Sequence, residues 1–121
     1  MLLDSNIIVY STLPEHSTLR AFIAANNPVV SAVSYVEVMG YHRLTAVDRA
    51  AFERFFNAAI ILPIDQPVLD KAIALRQQRR MSLGDSLIAG TALVHSRVLV
   101  TSNIEDFRWI DGLKLHDPMK P

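Results

Sequence analysis

Short apolar runs at Leu2 to Asp4, Pro28 to Ser31, Ile60 to Ile64, Arg97 to Thr101 and Leu113 to His116 are separated by longer stretches with helical periodicity. Strand-length runs alternating with helix-length patterns mark β-α units, in which a helical crossover returns each strand to the sheet parallel to its neighbour. The expected fold is therefore α/β, with a central, mostly parallel sheet. Between the strands, Leu19, Phe22 and Ile23 mark one helix, and Phe52, Phe55 and Phe56 repeat the same i, i+3, i+4 stripe on another. These aromatics are read as core. Thr45 with Asp48, and Asp65 followed by Pro67, supply helix starts, whereas strong stop signals are fewer.

The stretch MSLGDSLIAGTALV, Met81 to Val94, is apolar almost all the way round a helical wheel through Leu83, Leu87, Ile88, Ala89, Ala92, Leu93 and Val94. That pattern predicts a helix buried on every side. Asp85 sits in its first turn, and the apolar environment makes a carboxylate there a residue to explain.

Totals exclude several classes of function. At 121 residues the chain suits one hydrophobic core, so a single domain over 1–121 is expected, with 116–121 as a loose tail. No apolar run approaches the roughly 18 residues of a membrane span, and the start MLLDSN lacks the basic region of a signal peptide. The absence of cysteine removes disulfides and thiolate metal sites and fits a reducing cytoplasm. Lysine plus arginine and aspartate plus glutamate balance at 12 each, so no global positive field draws the protein onto nucleic acid. Contact with phosphates must be local or carried by a metal. The glycines at 40, 84, 90 and 112 form no phosphate cradle, and His16, His42, His95 and His116 form no HExxH pair.

The acids are placed more suggestively. Asp4 follows the first strand, and the carboxyl ends of parallel strands are where ligands bind in open α/β sheets. Glu37 falls three residues after Ser34, and Asp85 three after Ser82. Both spacings are capping-box patterns, in which the acid reaches back to a free amide at the helix start. Such an acid lies in a first helical turn, near the end of the preceding strand, so a closed sheet would bring Asp4, Glu37 and Asp85 to one edge. A cap contributes about 0.5 to 2 kcal/mol, whereas two carboxylates ~4 Å apart repel by roughly 4 kcal/mol at an effective dielectric of 20. Capping cannot offset three such acids. They must stay apart, take up a proton, or share a cation, and an oxygen-only donor set favours Mg²⁺ or Mn²⁺.

VTSNIEDF, Val100 to Phe107, brings Asn103, Glu105 and Asp106 to the same edge. Asn103 can offer a neutral carbonyl oxygen to a metal or its water, or simply turn the loop; Asp106 can add charge, or cap a short turn before Phe107 and Trp109. RQQRR, Arg76 to Arg80, offers Arg79 and Arg80 as phosphate contacts at the rim, although cations are also favoured at a helix C-terminus.

Together, LLDSN, SAVSYVEV, SLGDSLIAGTAL, LVTSNIEDF and GLKLHDP, in this order and spacing across nearly the whole chain, resemble the PIN-domain ribonucleases of the VapC toxin type. The resemblance implies a three-layer α/β/α fold and an acidic pocket binding Mg²⁺ or Mn²⁺ that cuts RNA phosphodiesters as the toxin of a toxin-antitoxin pair. By position, Asp4, Glu37 and Asp85 match the family's catalytic, metal-binding acids. Thr101 matches a hydroxyl supporting the first aspartate, and Ser5 and Asn6 match its polar neighbours. Asn103 stands where many relatives carry a fourth acid and is counted among the catalytic candidates, with Asp106 as the replacement metal ligand. A homodimer is also implied, as is an antitoxin whose tail lies in a hydrophobic groove and obstructs the pocket. Tyr10, Tyr35, Tyr41 and Trp109 are candidates for such a surface, with core packing as their ordinary role.

An aspartyl phosphotransferase of haloacid-dehalogenase type needs a second acid where this chain has Asn6, and a phosphate-receiver domain needs its aspartate after a central strand. The competing reading from another class is a PIN-like module that binds RNA or protein with little or no cleavage, and Asn103 is the feature that keeps it open.

Overall fold

The computed structural model describes residues 1–120. Its strands are β1 (Leu2–Leu3), β2 (Val29–Ser31), β3 (Ile60–Leu62), β4 (Leu99–Val100) and β5 (Leu115–His116). They form one sheet in the order β3-β2-β1-β4-β5, every pair parallel. The helices are α1 (Ser5–Ser11), α2 (Ser17–Ala25), α3 (Ala32–Met39), α4 (Ala46–Ala58), α5 (Gln66–Gln78), α6 (Leu83–Val94) and α7 (Ile104–Phe107), with a 3₁₀ turn at Pro14–His16.

Side chains alternate across a strand, so register sorts the core into two halves. Leu3, Val30 and Val100 are paired across the three central strands and pack on one face with Ile7, Ile8, Leu19, Val38, Phe52 and Phe56 from α1 to α4. Leu2, Val29 and Leu99 pack on the other with Leu75, Ile88, Ala89, Ala92 and Phe107 from α5, α6 and α7. The result is the three-layer α/β/α arrangement expected from the sequence. Both faces of the central strands are covered, which is why they read as plain apolar runs without alternation. Among the described residues no helix is long and apolar enough to cross a membrane.

Local starts follow side-chain chemistry. Thr45 accepts from the Asp48 amide at 3.1 Å, Asp65 from that of Val68 at 3.3 Å, and Ser82 from that of Asp85 at 3.1 Å. Replacing Ser82 with alanine should therefore cost about 1 kcal/mol of unfolding free energy, read from a denaturant titration. The stop of α6 is a Schellman motif. Ser96 takes a left-handed φ of 52°, its amide donates to Leu93 O at 3.3 Å, and the Arg97 amide donates to Ala92 O at 2.9 Å. A serine there carries no glycine signal, so the sequence hides this stop.

Several expectations need correction. The Ser34–Glu37 capping box does not exist: α3 starts earlier, with Ser31 as its cap accepting from the Val33 amide, so Glu37 lies in the second turn. Asp106 does not cap α7 but sits inside it, while Asn103 occupies the cap position without a side-chain cap bond. Leu83 is 61% exposed, so α6 is enclosed from Ser86 to Ala92 and open at its first turn. The tail does not begin at 116, because His116 belongs to β5; Asp117 to Lys120 form a turn in which the Met119 amide donates to Asp117 Oδ1, and Pro121 lies outside the described residues. Tyr35 and Tyr41 are exposed, although the Tyr35 ring stands edge-on to Phe56; Tyr10 and Trp109 are partly buried against the core.

Candidate active site

The sheet order puts β1 between β2 and β4, so the chain leaves β1 toward one edge and later enters β4 on the other side. That reversal opens a crevice at the carboxyl end of β1, and Asp4 is the first residue beyond the strand. Asp4 is buried, and both carboxylate oxygens are held. Oδ1 accepts from the Ser5 amide at 2.8 Å, capping α1, and Oδ2 accepts from Thr101 Oγ1 at 2.8 Å. The Thr101 hydroxyl in turn accepts from the Asn103 amide at 3.0 Å. A single threonine thus ties the ends of β1 and β4 together and fixes the start of the α7 loop.

α3 follows β2, and α6 precedes β4, so both present their N-terminal turns to this edge. Glu37, exposed, accepts from Ser5 Oγ at 2.9 Å through Oε1. Its Oε2 faces Gly84, where an added Cβ would lie only 3.0 Å away. Asp85 is the next residue, half-buried in the first turn of α6. Asp106 is exposed on α7; Asn6 is exposed at the start of α1. Arg79 follows the end of α5 with its guanidinium 5.4 Å from the Trp109 ring centroid, and Arg80 lines a groove between α5 and α6 with Leu83 and Ser86. Neither arginine forms an ion pair with the acids: the ion pair among the described residues is Arg108 with Glu105, at 3.1 Å on α7.

The electrostatics follow from this one-sided charge. Burial raises the Asp4 carboxyl above the usual carboxylate range, opposed by the hydrogen bonds from Thr101 and Ser5 and reinforced by the charges of Glu37 and Asp106. Asp85 is raised by burial first, then by the charge of Asp4, with Asp106 adding to it and Ser82 opposing. Asp4, Glu37, Asp85 and Asp106 therefore share one field without a cation to balance it.

A hard divalent ion fits this donor set in chemistry and charge, since every donor is oxygen and the negative charge is uncompensated. An ionised carboxylate offers about four lone-pair sites, so Asp4 keeps acceptor capacity beyond its two bonds. Spacing is less complete: among the described residues no three His, Asp or Glu side chains lie close enough together to hold an ion. The compact ligand set expected from the sequence is not assembled. The Glu37 carboxylate is turned to Ser5 and Gly84, while that of Asp4 is turned to Thr101.

Ser34 and Gly84 were not legible as site residues. Ser34 resembles a helix cap in the sequence, but its hydroxyl lies 2.9 Å from Ser5 Oγ, fully buried. Its signal is its place one turn before Glu37 on the same helix face. Gly84, a poor helix former, occupies a first turn beside an acid.

Fold and site together define a parallel α/β protein with acidic side chains at the switch point of its sheet. Comparison with known families makes the class specific. The PIN domain model matches residues 1–113, and the chain belongs to the PIN domain family. A toxin-antitoxin complex from Klebsiella pneumoniae contains a chain similar over 97% of this protein and 96% of its own length, with 26% identity and a TM-score of 0.77. DNA-bound VapBC from Salmonella typhimurium gives a TM-score of 0.84 at 20% identity over 97% and 96% of the two chains. VapBC2 from Rickettsia felis, bound to a fragment of its promoter DNA, gives 0.80 at 21% identity over 95% and 96%. No curated protein sequence matches the chain.

Proposed function

We propose that this protein is a Mg²⁺- or Mn²⁺-dependent endoribonuclease acting in the cytoplasm as the toxin of a VapBC-type pair, with a cognate antitoxin and a second copy of itself as protein partners. The carrying observation is the uncompensated charge at the switch point: buried Asp4 feels Glu37 and Asp106, and Asp85 feels Asp4 and Asp106, with no cation paired to any of them among the described residues. Family membership and the toxin-antitoxin complexes among the similar structures support the same reading.

In this reading Asp4 and Asp85 would hold the ion, Glu37 would complete its surroundings and Asp106 would add charge in place of the acid absent at Asn103. The bound ion supplies positive charge against the negative charge that develops on the phosphate and its leaving oxygen. Thr101 and the Ser5 amide keep Asp4 in one rotamer, so that its remaining lone pairs point from a fixed place. Glu37, exposed and held through Ser5, would take a proton from a water attacking phosphorus in line. Asn103 turns the loop through its backbone, and its side-chain carboxamide would serve the substrate or its water.

The second reading, a PIN-like module that binds without cutting, is favoured by Asn103 and by the open spacing of the acids. Labelled RNA incubated with purified protein in Mn²⁺, in chelator, and with Asp4→Asn or Asp85→Asn separates the two. Metal-dependent cutting lost in both variants supports the nuclease; RNA retention with no cutting under any condition supports the module.

Arg79 and Arg80 lie near the end of α5 and are assigned to the RNA path. Replacing both with alanine should weaken RNA binding and flatten the slope of its salt dependence by about 0.7 for each phosphate that is no longer neutralised. An unchanged slope removes them from the interface and leaves Arg79 as packing for Trp109.

A further inference from the structure

We propose that Ser34 and Gly84 are positioning residues that hold the Glu37 carboxylate from opposite sides at the first turn of α6, an inference that rests on the nuclease reading only for its consequence in metal binding.

One proton on Ser5 decides the direction of the hydrogen bonds. Ser5 Oγ lies 2.9 Å from both Ser34 Oγ and Glu37 Oε1, yet a hydroxyl donates only once. Glu37 Oε1 accepts from Ser5 Oγ, so the single Ser5 proton goes to Glu37 and the Ser5 oxygen is left to accept from Ser34. The opposite direction would strand the Ser34 proton, for Ser34 is 0% exposed and forms no other side-chain hydrogen bond among the described residues. An unmade bond at a buried hydroxyl is unfavourable. The chain therefore runs one way, from Ser34 through Ser5 to Glu37, and each donation strengthens the next.

The other oxygen of Glu37 meets bare backbone. A Cβ on Gly84 would sit 3.0 Å from Oε2 and 3.4 Å from Cδ, so a side chain there pushes the Glu37 carboxylate from its place by a few tenths of an ångström. Gly84 has ordinary helical geometry, and its lack of a side chain serves the approach of Glu37 rather than a turn. The acid of α3 is thereby brought to α6 next to Asp85.

Two double-mutant cycles on the full chain test this, Ser34→Ala with Glu37→Gln and Gly84→Ala with Glu37→Ala. Each is read by calorimetric Mn²⁺ binding and by thermal unfolding in chelator. Ser34→Ala and Gly84→Ala should each weaken Mn²⁺ binding by about tenfold in the wild-type background and have little further effect once Glu37 is replaced. In chelator, Ser34 and Glu37 should remain coupled, and Gly84→Ala should raise the melting temperature when Glu37 is alanine, since the clash is gone and helix propensity is gained. Losses that simply add in either measurement overturn the proposal, because a purely structural serine or glycine acts regardless of residue 37. Wild-type protein that binds no Mn²⁺ sinks the metal-dependent reading instead, and the unfolding cycles then decide the clamp alone.

Discussion

Asp4→Asn should abolish metal-dependent RNA cleavage, with a loss of at least about 100-fold, and yet leave a protein that melts higher than wild type at neutral pH. The reason is the sign of the linkage. Burial raises the Asp4 carboxyl pKa above its value in the unfolded chain, and Asp85 is raised in the same direction. Folding therefore favours the protonated forms. That stability is fully present below the unfolded pKa and is lost as pH rises through the raised folded value. Above the raised folded pKa wild type holds ionised acids at a partly dry site, and asparagine removes the charge while its oxygen can still accept from the Ser5 amide, although one of its two bonds, that from Thr101, is disturbed. A higher melting temperature than wild type is expected above that pKa, read by thermal unfolding. The stability difference between variant and wild type should shrink on acidification. Mn²⁺ at about 100 times its dissociation constant should stabilise wild type by roughly 2.7 kcal/mol and the variant much less. A variant that melts below wild type at pH 7, or that responds equally to Mn²⁺, removes the account of this cleft as an electrostatic compromise made for a cation.

The same compromise explains what could be read from the sequence. The central strands fall inside their expected runs because a strand covered on both faces must be apolar, and Leu2 with Leu3 shows this in two residues, whereas the edge strands β3 and β5 are partly exposed and were legible only as short β-branched or leucine-rich runs. At the carboxyl ends of β1 and β4 the strands stop short of their runs where the chain turns into the site, and there Asp4 and Thr101 bond to each other. Helix stripes were legible where one face is dry, as at Phe52 and Phe56. The start of α3 was not, since SAVS offers serines at 31 and 34 with equal capping chemistry, and the choice is made by where β2 ends. For the site, the acids stood out because carboxylates near strand ends are costly. Ser34 and Gly84 did not, because a buried hydroxyl and a missing side chain acquire meaning only from what lies opposite them across three elements. The left-handed Ser96 that ends α6 was hidden for a related reason: tertiary packing imposes a conformation that its residue type does not favour.

Phe107→Ala tests whether the smallest helix matters to the site. α7 has four residues and cannot be stable by itself. Phe107, 1% exposed, anchors it into the core among Leu2, Leu99 and Ile110, and the Trp109 indole nitrogen adds a hydrogen bond to Asp106 O at 3.0 Å. Truncation should cost about 3 to 5 kcal/mol, a large share of the 5 to 15 kcal/mol that typically holds a domain together, with a melting temperature lower by roughly 10 °C or more. Phe56→Ala provides the control, since Phe56 is similarly buried in the opposite core layer, where it packs against Phe55 and Tyr35. At a temperature where both variants remain folded, Phe107→Ala should lose cleavage well beyond Phe56→Ala, because loosening α7 moves Asp106 and the Asn103 turn that rests on Thr101. Equal cleavage by the two folded variants would mean that Asp106 and Asn103 are spectators, and the site would reduce to Asp4, Glu37 and Asp85.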